Sequence, residues 1–283
     1  MTYEALSIPV RSDLSLYARR YGGGDKTPAI CIPGLTRNAK DFEELAPKLA
    51  AGGRDAVAVT LRGRGASDYD QDYLNYHPLT YRDDVLKVLD HLGWAEAIFV
   101  GTSLGGITTM LTNEAAPERV KAAILNDVGP DLAEEGIMRI AGYVGKGGDP
   151  AKTIEEAAAR IKAINAVAFP NASDEEWITF AKRTFKQNDA GEWILDYDAN
   201  IARAFAEAGP APDLWPAFES LKSTPTLVIR GAISDLLTPP IIEKMRGVHA
   251  NFQYAEVPNI GHAPMMTEPA AWEAINSFLA TLD

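Results

Sequence analysis

The segment Gly101-Thr102-Ser103-Leu104-Gly105 is the pattern with the clearest chemical meaning in this sequence. The Gly-x-Ser-x-Gly motif follows the apolar run 98–100 and opens a helical pattern, so the serine lies in a sharp turn between a strand and a helix. Glycines on both sides remove side chains that would obstruct so tight a turn. The motif predicts that Ser103 is the nucleophile of an acyl-transfer reaction, against the alternative of an ordinary glycine-rich turn.

A serine hydroxyl needs a general base, and the sequence contains four histidines. His262 lies in the loop 258–264, between the strand-like run 252–257 and the C-terminal helical pattern. Loops that follow parallel strands emerge at the same sheet edge as the serine turn, so His262 is the predicted base. The other three histidines lie in a polar loop or near helix ends, where a non-catalytic role explains them: His77, His91 and His249.

The histidine in turn needs a carboxylate that orients it and stabilises the imidazolium. Asp235 follows the apolar run 226–229 and precedes His262 in the chain, and the sequence favours it for this role. Asp127, after the run 122–125, is the alternative acid, or it caps the entrance to the next segment. The predicted catalytic residues are Ser103, Asp235 and His262.

Short, nearly continuous apolar runs recur along the chain, as strands buried on both faces of a parallel sheet produce. They cover residues 29–32, 56–61, 97–100, 122–125 and 226–229. Near the N-terminus, apolar residues alternate on both sides of Ser12-Asp13, which predicts an antiparallel hairpin.

Helical patterns separate these runs. Thr80 and Asp83 match a capping box ahead of an amphipathic helix. Pro47 is expected to bend or divide another helix, which Asn38 could cap. Strands that alternate with helices predict an α/β fold, a doubly wound and mostly parallel β-sheet flanked by helices.

Residues 130–218 break this alternation, because they contain helical spacing and turn residues but no convincing buried strand. The simplest interpretation is a helical cap inserted into the sheet domain. The prediction therefore divides the chain into a core, residues 1–129 and 219–283, and a cap or lid, residues 130–218.

Composition limits the partners. The chain carries 27 Lys and Arg against 39 Asp and Glu, a formal charge of −12 that repels nucleic acids and anionic lipid surfaces. Cys31 is the only cysteine, so no disulfide forms within one chain and a reducing compartment fits. The N-terminus shows no signal-peptide pattern and no apolar run is long enough to span a membrane, which predicts a cytoplasmic protein.

Together these residues resemble the α/β-hydrolase family, in particular its cap-bearing hydrolases with a serine nucleophile. The chain order of Ser103, Asp235 and His262 matches the nucleophile–acid–histidine order of that family. Haloalkane dehalogenases and epoxide hydrolases of this fold use aspartate as the nucleophile, so the serine argues against both.

Two further segments are similar to loops of the same family. Residues 32–36 resemble its oxyanion loop, and the resemblance implies that the backbone amides of Leu35 and Leu104 form the oxyanion hole. Residues 61–67 resemble its Arg-Gly-x-Gly-x-Ser turn. Arg62 is interpreted as structural, whereas Arg64 either reaches substrate or is an exposed turn arginine, with the second favoured.

The resemblance implies hydrolysis of a small or medium carboxylic ester or lactone through an acyl-enzyme, with no metal or organic cofactor. An alternative with the same catalytic residues is cleavage of a carbon–carbon bond in a diketone or ring-cleavage product. A non-catalytic ligand sensor is disfavoured because no catalytic position is lost.

The expected partner is a small-molecule substrate, and a homodimer is left open. Substrate contacts are expected from Gly34, Trp177, Trp193 and Met265. Acidic residues outnumber basic ones in the cap, which would mildly disfavour anionic substrates.

Overall fold

Eight strands form one mixed sheet in the computed structural model, which describes residues 2–207, 209 and 212–282. In chain order all strands are β1 (Glu4–Arg11), β2 (Leu14–Tyr21), β3 (Lys26–Ile32), β4 (Arg54–Val59), β5 (Ala97–Thr102), β6 (Val120–Asn126), β7 (Phe185–Gln187), β8 (Trp193–Leu195), β9 (Thr226–Gly231) and β10 (Gln253–Val257). The large sheet has the order β1-β2-β4-β3-β5-β6-β9-β10, and β7 pairs with β8 in a separate hairpin.

The helices connect these strands. They are α1 (Leu45–Ala51), α2 (Pro78–Leu92), α3 (Leu104–Ala115), α4 (Glu134–Tyr143), α5 (Ile154–Asn165), α6 (Asp174–Thr184), α7 (Asn200–Glu207), α8 (Trp215–Glu219), α9 (Pro239–Val248) and α10 (Pro269–Leu279). None of the helices in the described ranges has both the length and the apolar character that a membrane span requires.

The sheet confirms the predicted fold class. All pairings from β4 through β3, β5, β6 and β9 to β10 are parallel, and the predicted apolar runs overlap with β3, β4, β5, β6 and β9. The predicted hairpin is formed by β1 and β2, which are joined by a turn at residues 12–13. Strand β2 also pairs antiparallel with β4 and so attaches the hairpin to the parallel strands.

Two apolar layers cover the sheet. Alternate residues of β3 show the division, because Ile30 and Ile32 pack in one layer while Ala29 and Cys31 pack in the other. Helices α2, α3 and α9 cover the first face, and α1 and α10 cover the second. Burial on both faces explains why these strands are apolar along their whole length.

Two helix starts test the local predictions. The predicted capping box at Thr80 is wrong, because α2 begins at Pro78 and the ring of His77 accepts a hydrogen bond from the Leu79 N–H at 3.2 Å. Proline is favoured in the first turn, where its missing N–H costs nothing. Division near Pro47 is confirmed: Asn38 caps a separate short helix, Ala39–Phe42, and α1 follows it.

Residues 130–218 contain α4 to α7 and the β7–β8 hairpin, and α5 and α6 pack around a small apolar cluster of their own. Phe218 in α8 is different, since it is buried against His249 and Phe252 beside the sheet. Ala208, Pro210 and Ala211, within the predicted cap, lie outside the described residues. The predicted division into core and cap stays a prediction.

Candidate active site

Ser103 lies in the strained turn that its motif predicts. It joins β5 to α3 with φ 53° and ψ −116°, a conformation that non-glycine residues rarely adopt. A Cβ on Gly101 would lie 2.4 Å from the carbonyl carbon of Gly105, and one on Gly105 would lie 2.1 Å from the carbonyl oxygen of Ile32. Side chains at either position would therefore collide with backbone, and the turn requires both glycines.

His262 lies between Ser103 and a carboxylate. Its Nε2 is 3.0 Å from Ser103 Oγ, and its Nδ1 is 2.7 Å from Asp127 Oδ2. The Asp127 side chain is fully buried and the His262 side chain is 9% exposed. Because an ionised carboxylate only accepts hydrogen bonds, Nδ1 carries the proton and Nε2 is left to accept the serine proton.

Asp127 is held in place by the end of the neighbouring strand. It follows β6 with φ 55°, and its N–H donates to the Ile229 carbonyl of β9 at 2.7 Å. Its Oδ1 accepts the Gly231 N–H at 2.8 Å, and its Oδ2 accepts the Ser234 hydroxyl at 2.6 Å. With His262, three donors converge on this one carboxylate and fix its orientation.

The structure corrects the prediction for Asp235. Its carboxylate does not bond to His262 but forms a two-point ion pair with Arg139 of α4, with Nη2 to Oδ1 at 2.8 Å and a second bond from Nε. Burial alone would raise the pKa of Asp235, but the guanidinium outweighs it and the pKa lies below its ordinary value. The loop after β9 turns back at Ser234, so the hydroxyl of that residue faces Asp127 while Asp235 faces α4.

The loop that carries His262 is tied to the sheet by Asn126. The Asn126 side-chain amide donates to the Pro264 carbonyl at 2.7 Å and to the Thr102 hydroxyl at 3.0 Å, and the main-chain carbonyl of Asn126 accepts the Ser103 N–H at 3.0 Å. This last residue of β6 therefore joins the serine turn to the histidine loop. Sequence reasoning missed Asn126 and Ser234, although a polar residue at the end of a buried run was a usable signal.

The two backbone amides of the predicted oxyanion hole belong to segments that adjoin Ser103. A Cβ on Gly34 would lie 3.7 Å from the Cβ of Ser103, so the loop that continues to Leu35 rests directly against the serine. Leu104 is the first residue of α3, and its N–H has no acceptor within the helix. Across residues 2–207, 209 and 212–282, neither the Leu35 nor the Leu104 N–H has a hydrogen-bond acceptor.

Arg64 supports the loop that contains Gly34 and Leu35 from the protein interior. It is neither an exposed turn arginine nor a cavity residue, because its side chain is fully buried. Its Nε and Nη2 donate to the Leu35 carbonyl at 2.9 and 2.8 Å, and its Nη1 donates to the Arg62 carbonyl and the Tyr81 hydroxyl. The guanidinium thus fixes the peptide next to the predicted oxyanion amide. Arg62 is structural as expected, since it pairs with Asp70 and Asp84.

A cavity of about 490 Å³ opens above Ser103 and His262. Helices α4, α5 and α6 contribute Ile140, Ile161 and Phe180 to its wall, so part of the cavity wall comes from the segment predicted as a cap. Most of the wall is apolar. The cavity can therefore hold a small or medium-sized organic molecule in contact with the serine hydroxyl.

The predicted substrate contacts are placed unequally. Gly34 and Met265 line the cavity, but Trp177 and Trp193 do not, and the prediction for both tryptophans is corrected. Trp177 is 3% exposed and packs against Phe169 and Phe180 in the apolar cluster of α5 and α6. Amphipathic packing in a thin helical layer uses the largest aromatic side chains for burial, and the neighbouring phenylalanines reach the cavity instead.

Comparison with known proteins agrees with this architecture. A family model described as the alpha/beta hydrolase family matches residues 29–275. A 3-hydroxybutyrate-oligomer hydrolase of Cupriavidus necator is 34% identical over 254 residues, 85% of this chain and 84% of that protein. A 2-(acetamidomethylene)succinate hydrolase of Mesorhizobium japonicum is 25% identical over 267 residues, 94% of this chain and 92% of that protein. The crystal structure of an alpha/beta hydrolase from Novosphingobium aromaticivorans is 39% identical, covers 99% of both chains and gives a TM-score of 0.93.

Proposed function

Because the chain belongs to the alpha/beta hydrolase family, we propose that it is a serine hydrolase that cleaves carboxylic esters through an acyl-enzyme on Ser103. The observation that carries the proposal is the hydrogen-bonded series from Ser103 through His262 to Asp127 at the floor of an apolar cavity. This arrangement supplies a nucleophile, a general base and a carboxylate that stabilises the protonated base.

In the proposed reaction, Ser103 Oγ attacks the ester carbonyl carbon as His262 Nε2 takes the hydroxyl proton. The Leu35 and Leu104 amides donate to the oxyanion that forms. The carbon–oxygen bond to the alcohol then breaks, and His262 gives its proton to the departing oxygen. In the second half, His262 takes a proton from water as the water oxygen attacks the acyl carbon; the bond to Ser103 Oγ then breaks, His262 returns the proton to Oγ, and the acid leaves. Each step uses protein groups and water alone.

We propose a small or medium hydroxyacid ester as the substrate. The Cupriavidus necator relative is named for hydrolysing 3-hydroxybutyrate oligomers, in which ester bonds join the hydroxyl of one unit to the carboxyl of the next. A cavity of about 490 Å³ has room for such a short oligomer. We also propose that residues 130–218 act as the cap that selects it, since α4, α5 and α6 line this cavity.

The test is hydrolysis of p-nitrophenyl acetate, butyrate and octanoate, and of the 3-hydroxybutyrate dimer and trimer. Ser103→Ala should lower kcat at least ~10³-fold while the protein stays folded, the scale expected when a nucleophile is removed. Ser7→Ala, on the exposed side of β1, is the matched control and should keep full activity. Equal activity of Ser103→Ala and wild type would overturn the proposal, and turnover of a diketone with inert esters would favour carbon–carbon cleavage.

A further inference from the structure

Arg160 and Lys146 place positive charge in the cavity that contains Ser103. Arg160 lies half-buried on α5, and Lys146 lies on the exposed loop before it. Neither pairs with a carboxylate anywhere in the part of the chain that the structure describes. This sets Arg160 apart, because acidic residues outnumber basic ones, 39 to 27, and most described arginines do have such a partner.

The loop 145–149 holds Arg160 in position. The Nη1 of Arg160 donates to the main-chain carbonyl oxygen of Gly147 at 3.4 Å and to that of Asp149. The loop is itself anchored, since the Gly145 N–H donates to the Tyr197 hydroxyl at 3.0 Å. Carbonyl oxygens orient a guanidinium without cancelling its charge. The Nε and Nη2 donors of Arg160 have no acceptor among residues 2–207, 209 and 212–282, so they remain available to a ligand.

The other charged groups of the cavity wall leave an excess of positive charge. Arg37 and Asp41 form a two-point ion pair and balance each other. Asp149 is exposed, and Arg160 bonds to its main-chain oxygen rather than to its carboxylate. The wall of this mostly apolar cavity therefore carries three cationic side chains and two carboxylates, in a molecule whose formal charge is −12.

We propose that Arg160, assisted by Lys146, binds a carboxylate on the ester substrate. The inference rests on the proposed ester hydrolysis at Ser103 and narrows its substrate to anionic esters, with the carboxylate on the alcohol part, as in an ester of a hydroxyacid. A guanidinium with two free donor nitrogens suits a planar carboxylate, whereas the lysine adds a point charge at the exposed edge. This reverses the expectation that the acidic cap disfavours anions, because the wall of the cavity has the opposite sign.

The experiment compares two substrates that differ only in charge: 3-acetoxybutyrate and its neutral amide, 3-acetoxybutanamide, with acetate release as the readout. The quantity measured is the ratio of kcat/KM for the anion to kcat/KM for the amide. Arg160→Gln should lower this ratio about tenfold or more, the effect of losing a charge-assisted hydrogen bond. Lys146→Gln should lower it about two- to threefold, because an exposed charge is screened. Raising the salt concentration should lower the wild-type ratio.

Lys152→Gln is the matched control, since this exposed lysine lies on the same segment but outside the cavity wall, and its ratio should equal that of wild type. A Tm of Arg160→Gln that matches that of wild type shows that the variant is still folded. A ratio that Arg160→Gln leaves at the wild-type value overturns the carboxylate site. If p-nitrophenyl butyrate is still hydrolysed in that case, and the hydrolysis depends on Ser103, the proposal of ester hydrolysis stands without the carboxylate site. If no ester is hydrolysed, both the ester hydrolase proposal and the carboxylate site are overturned.

Discussion

Asp127 and Asp235 lie after neighbouring parallel strands, β6 and β9, yet their carboxylates have different partners. Asp127 bonds to His262, and Asp235 bonds to Arg139 of α4. Asp127 is fully buried and its acceptors are filled by Gly231, Ser234 and His262, whereas the Asp235 side chain is 21% exposed and paired with one arginine. The first carboxylate is built into the sheet edge, and the second ties that edge to the segment above the cavity.

This difference shows that emerging at the correct sheet edge is necessary but does not select the acid. The selection is made by local hydrogen bonds within a few residues. Ser234 and Asp235 are adjacent, and the turn that directs the serine hydroxyl to Asp127 directs the next carboxylate to α4. Changes at the two aspartates should therefore have effects of very different size.

The largest effect is expected from Asp127→Ala. Without this carboxylate the tautomer of His262 is no longer fixed and its imidazolium is not stabilised, so kcat for p-nitrophenyl butyrate should fall about 10³–10⁴-fold. Asp235→Ala, measured in parallel, should retain activity within about threefold. Equal losses in the two variants would contradict the distinction.

An intermediate effect is expected from Ser234→Ala. The variant removes one donor to the buried Asp127 carboxylate, and kcat should fall about tenfold with little change in KM, since a hydrogen bond to a charged group contributes roughly 1.5–3 kcal/mol. Ser234→Thr keeps the hydroxyl and should recover most of the activity. Failure of threonine to recover activity in a folded protein would count against the hydroxyl.

The smallest effect concerns stability. The Asp235 pKa is depressed below its ordinary value of 3.8, because Arg139 outweighs the opposing effect of burial, so the pair stabilises the fold above that pH. Asp235→Asn should lower Tm at pH 7 by about 2–4 °C, corresponding to about 1 kcal/mol. The difference in Tm between Asp235→Asn and wild type should disappear as the pH falls through the depressed pKa of Asp235. A gap that persists in acid would assign the loss to something other than this ion pair.

Much of the site was accessible from the sequence. The run before Ser103 and the glycines around it identify the turn, and the position of His262 after the last strand brings it to the same edge. The two aspartates could not be separated in this way. The positive φ of Asp127 and the turn at Ser234 are local conformations that no apolar pattern reveals.

The contacts between residues distant in the chain were harder to predict. Arg139 reaches Asp235 from a helix nearly a hundred residues earlier in the chain, and Arg64 reaches the Leu35 carbonyl from inside the core. Both depend on how the segments pack, which spacing along the chain does not determine. The aromatic residues of α6 and of the loop before it were equally hard to assign, because burial of Trp177 and cavity lining by Phe169 and Phe180 use the same amphipathic pattern.

The most direct measurement is the proton NMR signal of the His262 Nδ1–H at low temperature, in wild type, Asp127→Asn and Asp235→Asn, with His262→Ala to assign it. A proton in a short bond to a buried carboxylate is protected from exchange and shifted downfield of the backbone amides. We expect this signal in wild type and Asp235→Asn and its loss in Asp127→Asn. Its retention in Asp127→Asn, with loss in Asp235→Asn, would contradict the assignment of Asp127 as the acid that orients His262.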